Sequence, residues 1–306
     1  MAEELLLPVV TEENACLPLS INAVARYWNV EIPLPPADSY PAGSGSVLIE
    51  GMEAAERHGL AVSVEHGGVS SLEKAMDGGV PPIVMLPGVG GLTHHLSVIT
   101  GYDEETIIHY VPKSSEEGIY EGAIPRDVFD AKWSQDGRIA VLVGPPDRIG
   151  PGSRSLRLCM EAERASLLGR GPRAESLLAK AVSEDPSNST AWLLLAGIQN
   201  GGDRDECVDS YSKCIRLNGR CYLAYRGLGN HYLKRGDEVR ADENYTRAIE
   251  VDAERSGSVY KNRAYIREKQ GRYAEAARDL GEYVRLSPGA PDRGAMERAA
   301  AELATM

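Results

Sequence analysis

The sequence predicts an α+β domain followed by an all-α array of repeated helix pairs. Three observations predict this fold class. The first half has one early amphipathic helix followed by strand-length segments, and a stretch rich in proline and glycine lies near the middle. In the second half, amphipathic helical segments recur with a period of about 34 residues. The 306 residues suffice for two domains, each with its own core.

In the first half, the hydrophobic periodicity predicts each element in turn. Helices are predicted over 16–29, 46–58, 70–78 and 125–133, and strands over 60–65, 82–86, 95–102, 106–111 and 138–143. The segment Gly-Pro-Pro-Asp-Arg-Ile-Gly-Pro-Gly-Ser at 144–153 ends this pattern. We therefore predict a first domain over 1–146, a linker over 147–154 and a repeat domain over 155–306.

The net charge of −12 is concentrated in the first half. Residues 1–150 contain 22 acidic and 8 basic side chains, whereas residues 151–306 contain 23 and 25. This acidity argues against nucleic acid or an anionic membrane as a partner. The N-terminal segment has acidic residues where a signal peptide needs basic ones, and five sparse cysteines indicate a reducing environment. We expect a cytoplasmic protein that binds no cofactor or metal.

Cys16 and His95 are the candidate catalytic residues. Cys16 begins the first predicted helix, where the helix dipole favours a thiolate, and His95 begins a predicted strand in the same domain. A cysteine nucleophile needs an adjacent base of this kind. The alternative is that Cys16 is a buried thiol with a packing role.

The segments around both residues resemble the peptidases that remove double-glycine leaders from bacteriocins. The segment Ala-Cys-Leu-Pro-Leu-Ser at 15–20 is similar to the family's Cys-Gly-Pro-Ala-Ser helix, and His-Leu-Ser-Val-Ile-Thr-Gly-Tyr at 95–102 is similar to its histidine strand. The resemblance extends over about residues 6–146 and implies a papain-like fold. It also implies that Cys16 is the nucleophile and His95 the base.

Two supporting positions depart from the family pattern. Val10 stands where the family has the glutamine of the oxyanion hole, and Val111 stands where it has the aspartate that orients the histidine. Loss of one oxyanion donor typically lowers the rate by roughly 10²–10³. Substitutes are conceivable, because Glu12, Glu13 or Asn14 precede the thiol and His109 shares a strand face with position 111.

The second half resembles the tetratricopeptide repeat. Its clearest unit has aromatic, small and leucine side chains at the family's spacing: Tyr225, Leu228, Gly229, Tyr232, Gly236, Ala241, Tyr245 and Ala248. Large and small residues alternate in this way where two helices pack closely. Four such repeats and a final helix over 292–304 account for residues 155–306, and the resemblance implies a peptide or protein partner.

Four residues of the last two repeats are candidate peptide ligands: Arg226, Asn230, Lys261 and Asn262. Their positions resemble in part a carboxylate clamp by which some tetratricopeptide domains hold the C-terminus of a partner. Guanidinium and amide groups both present donors in a fixed plane. Alternatively, both asparagines only hydrogen-bond neighbouring helices.

The remaining cysteines and histidines are predicted to have packing roles and not metal-binding or catalytic ones. Cys207 and Cys214 are predicted to occupy small-residue core positions of the second repeat, and we expect no histidine or carboxylate to complete a metal site with them. His231 is isolated in the sequence and is predicted to be a surface or packing residue.

These patterns suggest three functions. The first is a cysteine peptidase or acyl-transfer enzyme whose repeats recruit a substrate or partner. The second is a catalytically degraded peptidase that serves as a peptide-binding adaptor. The third is acyl transfer to an amine, suggested by the acidity of the first domain.

Overall fold

The structure is a computed structural model that describes residues 4–7, 16–33, 48–87, 94–111 and 120–306. At 16–18, 94–95, 111 and 120–121 the description is limited to the backbone. The chain divides by its internal contacts into two compact units, residues 1–191 and residues 192–306.

The first unit contains an antiparallel sheet of six strands in the order β1-β6-β2-β3-β4-β5. The strands are β1 (Ala61–His66), β2 (Ile83–Pro87), β3 (His94–Tyr102), β4 (Thr106–Val111), β5 (Tyr120–Pro125) and β6 (Ile139–Gly144). The described residues of this unit also form the α-helices α1 (Cys16–Tyr27), α2 (Leu48–Arg57), α3 (Val69–Asp77), α4 (Arg126–Trp133), α5 (Arg154–Leu167) and α6 (Gly171–Glu184). The boundary between the units falls within α7 (Ser189–Gly201).

Helices α3 and α4 cover one face of this sheet. Leu72 of α3 and Trp133 of α4 form one buried cluster with Val84, Ile99 and other sheet residues. Trp133 also donates its indole N–H to the carbonyl oxygen of Ile139 at 3.0 Å, so this large ring is buried without an unpaired donor.

Helix α1 packs on the opposite face. Ile83 pairs with both Val98 and Val141, and all three side chains are fully buried. Because successive residues of a strand alternate between faces, these three lie opposite the cluster that contains Val84. Helix α1 contacts β3 and β6 there and contributes the buried residues Leu19, Ile21, Ala23, Val24 and Ala25.

The first unit extends beyond the predicted linker. The backbone N–H of Ser153 donates to the carbonyl oxygen of Val64 at 2.7 Å, which attaches the linker to β1. Arg157 of α5 then forms two hydrogen bonds with Glu56 of α2, at 2.7 and 2.8 Å. The first helix pair, α5–α6, therefore belongs to the same compact unit as the sheet, and the boundary over 147–154 stays a prediction.

Within the residues described, the second unit consists of the larger part of α7 and six further helices. The six are α8 (Cys207–Leu217), α9 (Tyr222–Lys234), α10 (Glu238–Val251), α11 (Gly257–Lys269), α12 (Tyr273–Leu286) and α13 (Arg293–Leu303). In the pair α9–α10, a methyl group at Gly229 would lie 2.5 Å from the Tyr245 ring. The alternation of small and large residues thus sets the close approach that the repeat pattern predicts.

The helices and strands of the sheet region follow the sequence prediction except at β5. The sequence analysis predicts no strand over Tyr120–Pro125, a segment that contains the strand-disfavouring residues glycine and proline. The strand forms at the edge of the sheet through its ladder with β4, from Thr106↔Pro125 to Val111↔Tyr120. Proline, which has no backbone N–H, is tolerated at such an edge because no further strand pairs on its outer side.

Candidate functional site

Cys16 is the first residue of α1, as the sequence predicts. The first turn of a helix has unpaired backbone N–H groups, which favour negative charge. The Cys16 side chain is outside the described residues, as are Val10, Glu12, Glu13 and Asn14. The position on the helix is therefore as expected, and the role of Cys16 stays a prediction.

His95 lies in β3, where its backbone pairs with Leu86 of β2. Since α1 contacts β3, the fold brings together the two elements that carry Cys16 and His95. Val111 is the last residue of β4, which pairs with β3 along the sheet. The side chains of His95 and Val111 are outside the described residues, so the proposed dyad and the proposed loss of the aspartate both stay predictions.

A buried polar pair lies on the same two strands. Ser97 of β3 and His109 of β4 are joined by a hydrogen bond of 2.8 Å between Oγ and Nδ1. The Ser97 hydroxyl also lies 3.3 Å from the carbonyl oxygen of Tyr110. Burial lowers the pKa of His109, which favours the neutral ring. The hydrogen bond between this neutral imidazole and the Ser97 hydroxyl links the two strands. The sequence predicts only that His109 shares a strand face with position 111.

Three of the four predicted peptide ligands lie on the helices α9 and α11, and the two asparagines are in contact there. The phenol of Tyr245 donates to Asn230 Oδ1 at 2.8 Å, and Asn262 Nδ2 lies 3.3 Å from the same phenol and 3.5 Å from Asn230 Oδ1. The guanidinium of Arg226 lies 5.8 Å from the ring centroid of Tyr222. We call Arg226, Asn230 and Asn262 the α9–α11 surface.

The electrostatics of this surface depend on Tyr245. Burial raises the pKa of Tyr245 to about 12, while the hydrogen bond with Asn262 and the positive charge of Arg226 act in the opposite direction. The phenol therefore stays protonated and donates its hydrogen bond to Asn230 at neutral pH. Within the described residues, Arg226 has no carboxylate partner, so its charge faces the surface uncompensated.

Lys261 has a different environment. Its ammonium group forms an ion pair with Asp292, which precedes α13, and lies 5.4 Å from the ring centroid of Tyr283. The Tyr283 hydroxyl donates to the same aspartate. Lys261 thus joins α11 to the last two helices, and its charge is already paired.

The structure reveals one cluster that the sequence did not. Cys207 and His231, which lie on different helices, are within hydrogen-bond distance, and Asp205 contacts the other ring nitrogen of His231. Their separation in the sequence left no local motif to detect. The described residues contain no group of three or more His, Cys, Asp or Glu side chains arranged to hold a metal ion.

No model of a known protein family matches the chain. Subunit 3 of the anaphase-promoting complex of Schizosaccharomyces pombe is 31% identical over 99 residues, which is 32% of this chain and 15% of that protein. The photosystem I assembly protein Ycf3 of Prochlorococcus marinus is 35% identical over 85 residues, or 27% of this chain and 49% of that protein. Ycf3 of Parasynechococcus marenigrum is 32% identical over 108 residues, or 30% and 62%.

Two solved structures are similar over part of the chain. One is the MamA protein, with a TM-score of 0.42, 16% identity, and coverage of 49% of this chain and 87% of that one. The other is YrrB, described as a TPR protein with an unusual peptide-binding site, with a TM-score of 0.42, 18% identity, and coverage of 49% and 83%.

Together with the paired helices, the sequence similarities support a tetratricopeptide-type helical region. This chain spans 15 to 62% of the length of the three curated relatives described above. The papain-like assignment of the sheet region stays a prediction. In the part of the chain that the structure describes, no helix is long and apolar enough to cross a membrane.

Proposed function

We propose that the protein is an adaptor that binds an extended segment of a partner polypeptide at the α9–α11 surface. The observation that carries this proposal is the uncompensated guanidinium of Arg226 next to a row of hydrogen-bonded amides. Assembly is named as the role of Ycf3, and the yeast relative is named as a subunit of a complex. Both names are in keeping with a protein-binding role here.

The chemistry of the surface suits a peptide backbone with a nearby carboxylate. Within the described residues, Asn230 Nδ2 and Asn262 Oδ1 have no hydrogen-bond partner, so they offer a donor and an acceptor. A peptide unit supplies one C=O and one N–H to match them. Arg226 adds two parallel donors for a carboxylate, either of an acidic side chain or of a C-terminus. Lys261 is left out of this proposed site because its charge is already paired with Asp292.

Selection from a peptide display library against the full-length protein tests the proposal. We expect enriched peptides to contain a carboxylate, and Arg226→Gln to weaken their binding about tenfold or more in fluorescence anisotropy, in line with the loss of a charge-assisted contact. Arg247→Gln is the matched control, because Arg247 is an exposed arginine of α10 already paired with Glu250. Equal loss in both variants, or no enriched peptide, would contradict the proposal.

A thiol-dependent peptidase or acyl-transfer activity is the second candidate. Its support is that α1, which begins at Cys16, contacts β3, which carries His95. If the two side chains form a dyad, Cys16 should react with a thiol electrophile well below about pH 8, and His95→Ala should abolish that reactivity. If the reactivity of Cys16 instead rises with a midpoint at about pH 8.5 and His95→Ala leaves it unchanged, this activity is contradicted.

We also propose a reducing, cytoplasmic location. Cys159, Cys207, Cys214 and Cys221 are all buried free thiols. Proteins of oxidising compartments instead tend to use paired cysteines as disulfides. Cell fractionation with an antibody to the full-length protein would test this location.

A further inference from the structure

A chain of three polar groups runs through the second unit from its surface into its core. The Cys207 Sγ lies 3.3 Å from His231 Nδ1, and His231 Nε2 lies 3.4 Å from Asp205 Oδ1. Cys207 is the first residue of α8 and His231 belongs to α9. A thiol, an imidazole and a carboxylate in this order are the parts that activate a cysteine.

The position of Asp205 is fixed by its neighbours. Arg235 lies 2.9 Å from the Asp205 carboxylate and also donates to the backbone carbonyl of Asp203 at 2.6 Å. Asp203 has a positive φ of 55°, which turns the loop between α7 and α8 back towards α9. Asp205 is thereby held where it can orient His231.

The thiol is buried, so a reagent that reaches it must be small. Cys207 is fully buried and His231 is 4% exposed, whereas the Asp205 side chain is 78% exposed. Burial raises the pKa of the Cys207 thiol and lowers the pKa of His231, so the pair is neutral at rest. The thiol must therefore give up its proton as it reacts, and His231 Nδ1 is in position to accept it.

The other buried thiols provide a comparison. Burial raises the pKa of Cys159, and a hydrogen bond with Cys221 together with burial raises the pKa of Cys214. Within the described residues, neither has an imidazole at hydrogen-bond distance. Of these equally buried cysteines, Cys207 alone combines burial with a base.

We propose that Cys207 is a modification site at which hydrogen peroxide or another small hydroperoxide oxidises the thiol, with His231 as the proton acceptor. The sulfur attacks the terminal peroxide oxygen, an S–O bond forms and the O–O bond breaks. The thiol proton passes to His231 and then to the leaving oxygen, which departs as water or an alcohol. Sulfur is oxidised by two electrons to the sulfenic acid, and the peroxide is reduced by two.

Oxidation would act on the packing around the second repeat. Cys207 belongs to a buried cluster that contains Tyr211, Cys214 and Leu228. The Tyr211 hydroxyl lies 3.4 Å from Asn200 Nδ2, which also donates to the carbonyl oxygen of Gly227, the neighbour of Arg226. An added oxygen in this close-packed core must displace neighbouring side chains.

Trapping of the sulfenic acid tests the proposal on the full-length Cys16→Ser protein, in which the other candidate nucleophile is absent. The protein is treated with hydrogen peroxide and dimedone, and labelling of each cysteine is measured by peptide mass spectrometry. We expect Cys207 to react about tenfold faster than Cys159, Cys214 and Cys221, and His231→Gln to remove this advantage. Equal rates at Cys207 and Cys214, or an unchanged rate in His231→Gln, would overturn the proposal.

If His231→Gln loosens the fold, labelling of Cys214 and Cys221 should rise as well. A second pair of variants tests the proposal in that case. Asp205→Asn removes the group that orients His231 but changes an exposed side chain, so the fold should persist. We expect it to slow Cys207 labelling severalfold. The control is Asp209→Asn, which changes an exposed acid in the first turn of α8 and should leave the rate unchanged. The same rate in Asp205→Asn and Asp209→Asn would overturn the role of the triad.

Discussion

The helix pairs α9–α10 and α11–α12 have the same helix lengths, 13 and 14 residues, but different cores. In α9–α10, the Tyr245 ring packs into the space that Gly229 leaves free. In α11–α12, Arg263 and Asp279 form a bidentate ion pair at 2.9 and 2.8 Å. One backbone arrangement is thus specified in two ways, by aromatic packing and by buried charge.

The ion pair is tolerated in the core because its hydrogen-bonding groups are satisfied. Arg263 and Asp279 are only 7% and 3% exposed. Arg263 also donates to Thr246 Oγ1 at 2.9 Å, and Arg267 lies 3.1 Å from Asp279. A buried charge without such partners is strongly unfavourable. The surface above both cores is nevertheless continuous, since Asn230 of α9 meets Asn262 of α11.

The largest expected effect comes from breaking the buried ion pair. Asp279→Ala leaves Arg263 buried without its carboxylate and should lower the free energy of unfolding by about 3–5 kcal/mol. Chemical denaturation followed by circular dichroism measures this. The double variant Arg263→Leu, Asp279→Leu removes both charges and should be less destabilised than Asp279→Ala. A loss below about 1 kcal/mol in the single variant would show that the pair is not essential to this core.

A smaller effect is expected from the aromatic core. Gly229→Ala places a methyl group against the Tyr245 ring and should cost about 1–3 kcal/mol through overpacking. Gly281→Ala is the matched control, because no atom lies within 4 Å of the added group and Gly281 is exposed within α12. It should stabilise the helix by about 0.5–1 kcal/mol. Similar destabilisation in both variants would contradict the packing role of Gly229.

The smallest expected effect is the acid sensitivity of the charged pair α11–α12. The Arg272 guanidinium lowers the pKa of Glu275 to about 2, below the value of roughly 4.3 in an unfolded chain. The resulting stability is present above the unfolded value and is lost as the pH falls towards 2. Denaturation at several pH values should show a shallower loss in Glu275→Gln than in wild type. The exposed Glu268→Gln is the control, and an unchanged slope in Glu275→Gln would contradict the role of Arg272.

The sequence predicts regular packing better than it predicts polar pairing. The spacing of Gly229, Leu228 and Tyr245 predicts the helix pair because it records which side chains must interdigitate. The pairing of Cys207 with His231 leaves no such periodicity, since a single polar contact between two helices does not recur along the chain. Likewise, Lys261 occupies a predicted ligand position, but its ion pair with Asp292 depends on how α13 packs.

The sheet region shows the same limit. The β-branched and aromatic residues in 95–102 and 106–111 predict β3 and β4, because such side chains favour strands. This preference does not predict β5, whose formation depends on pairing with β4 at the edge of the sheet. The sequence likewise places Cys16 at the start of α1, but the relation of its thiol to His95 depends on tertiary geometry.

Binding of one selected peptide to wild type, Arg226→Gln and Cys16→Ala full-length proteins tests the adaptor function most directly. Fluorescence anisotropy should give the same affinity for wild type and Cys16→Ala. The affinity of Arg226→Gln should be lower by about tenfold or more. That result would place recognition on the α9–α11 surface, independently of the thiol. Loss of binding in Cys16→Ala with full binding in Arg226→Gln would contradict it and favour a thiol-dependent enzyme.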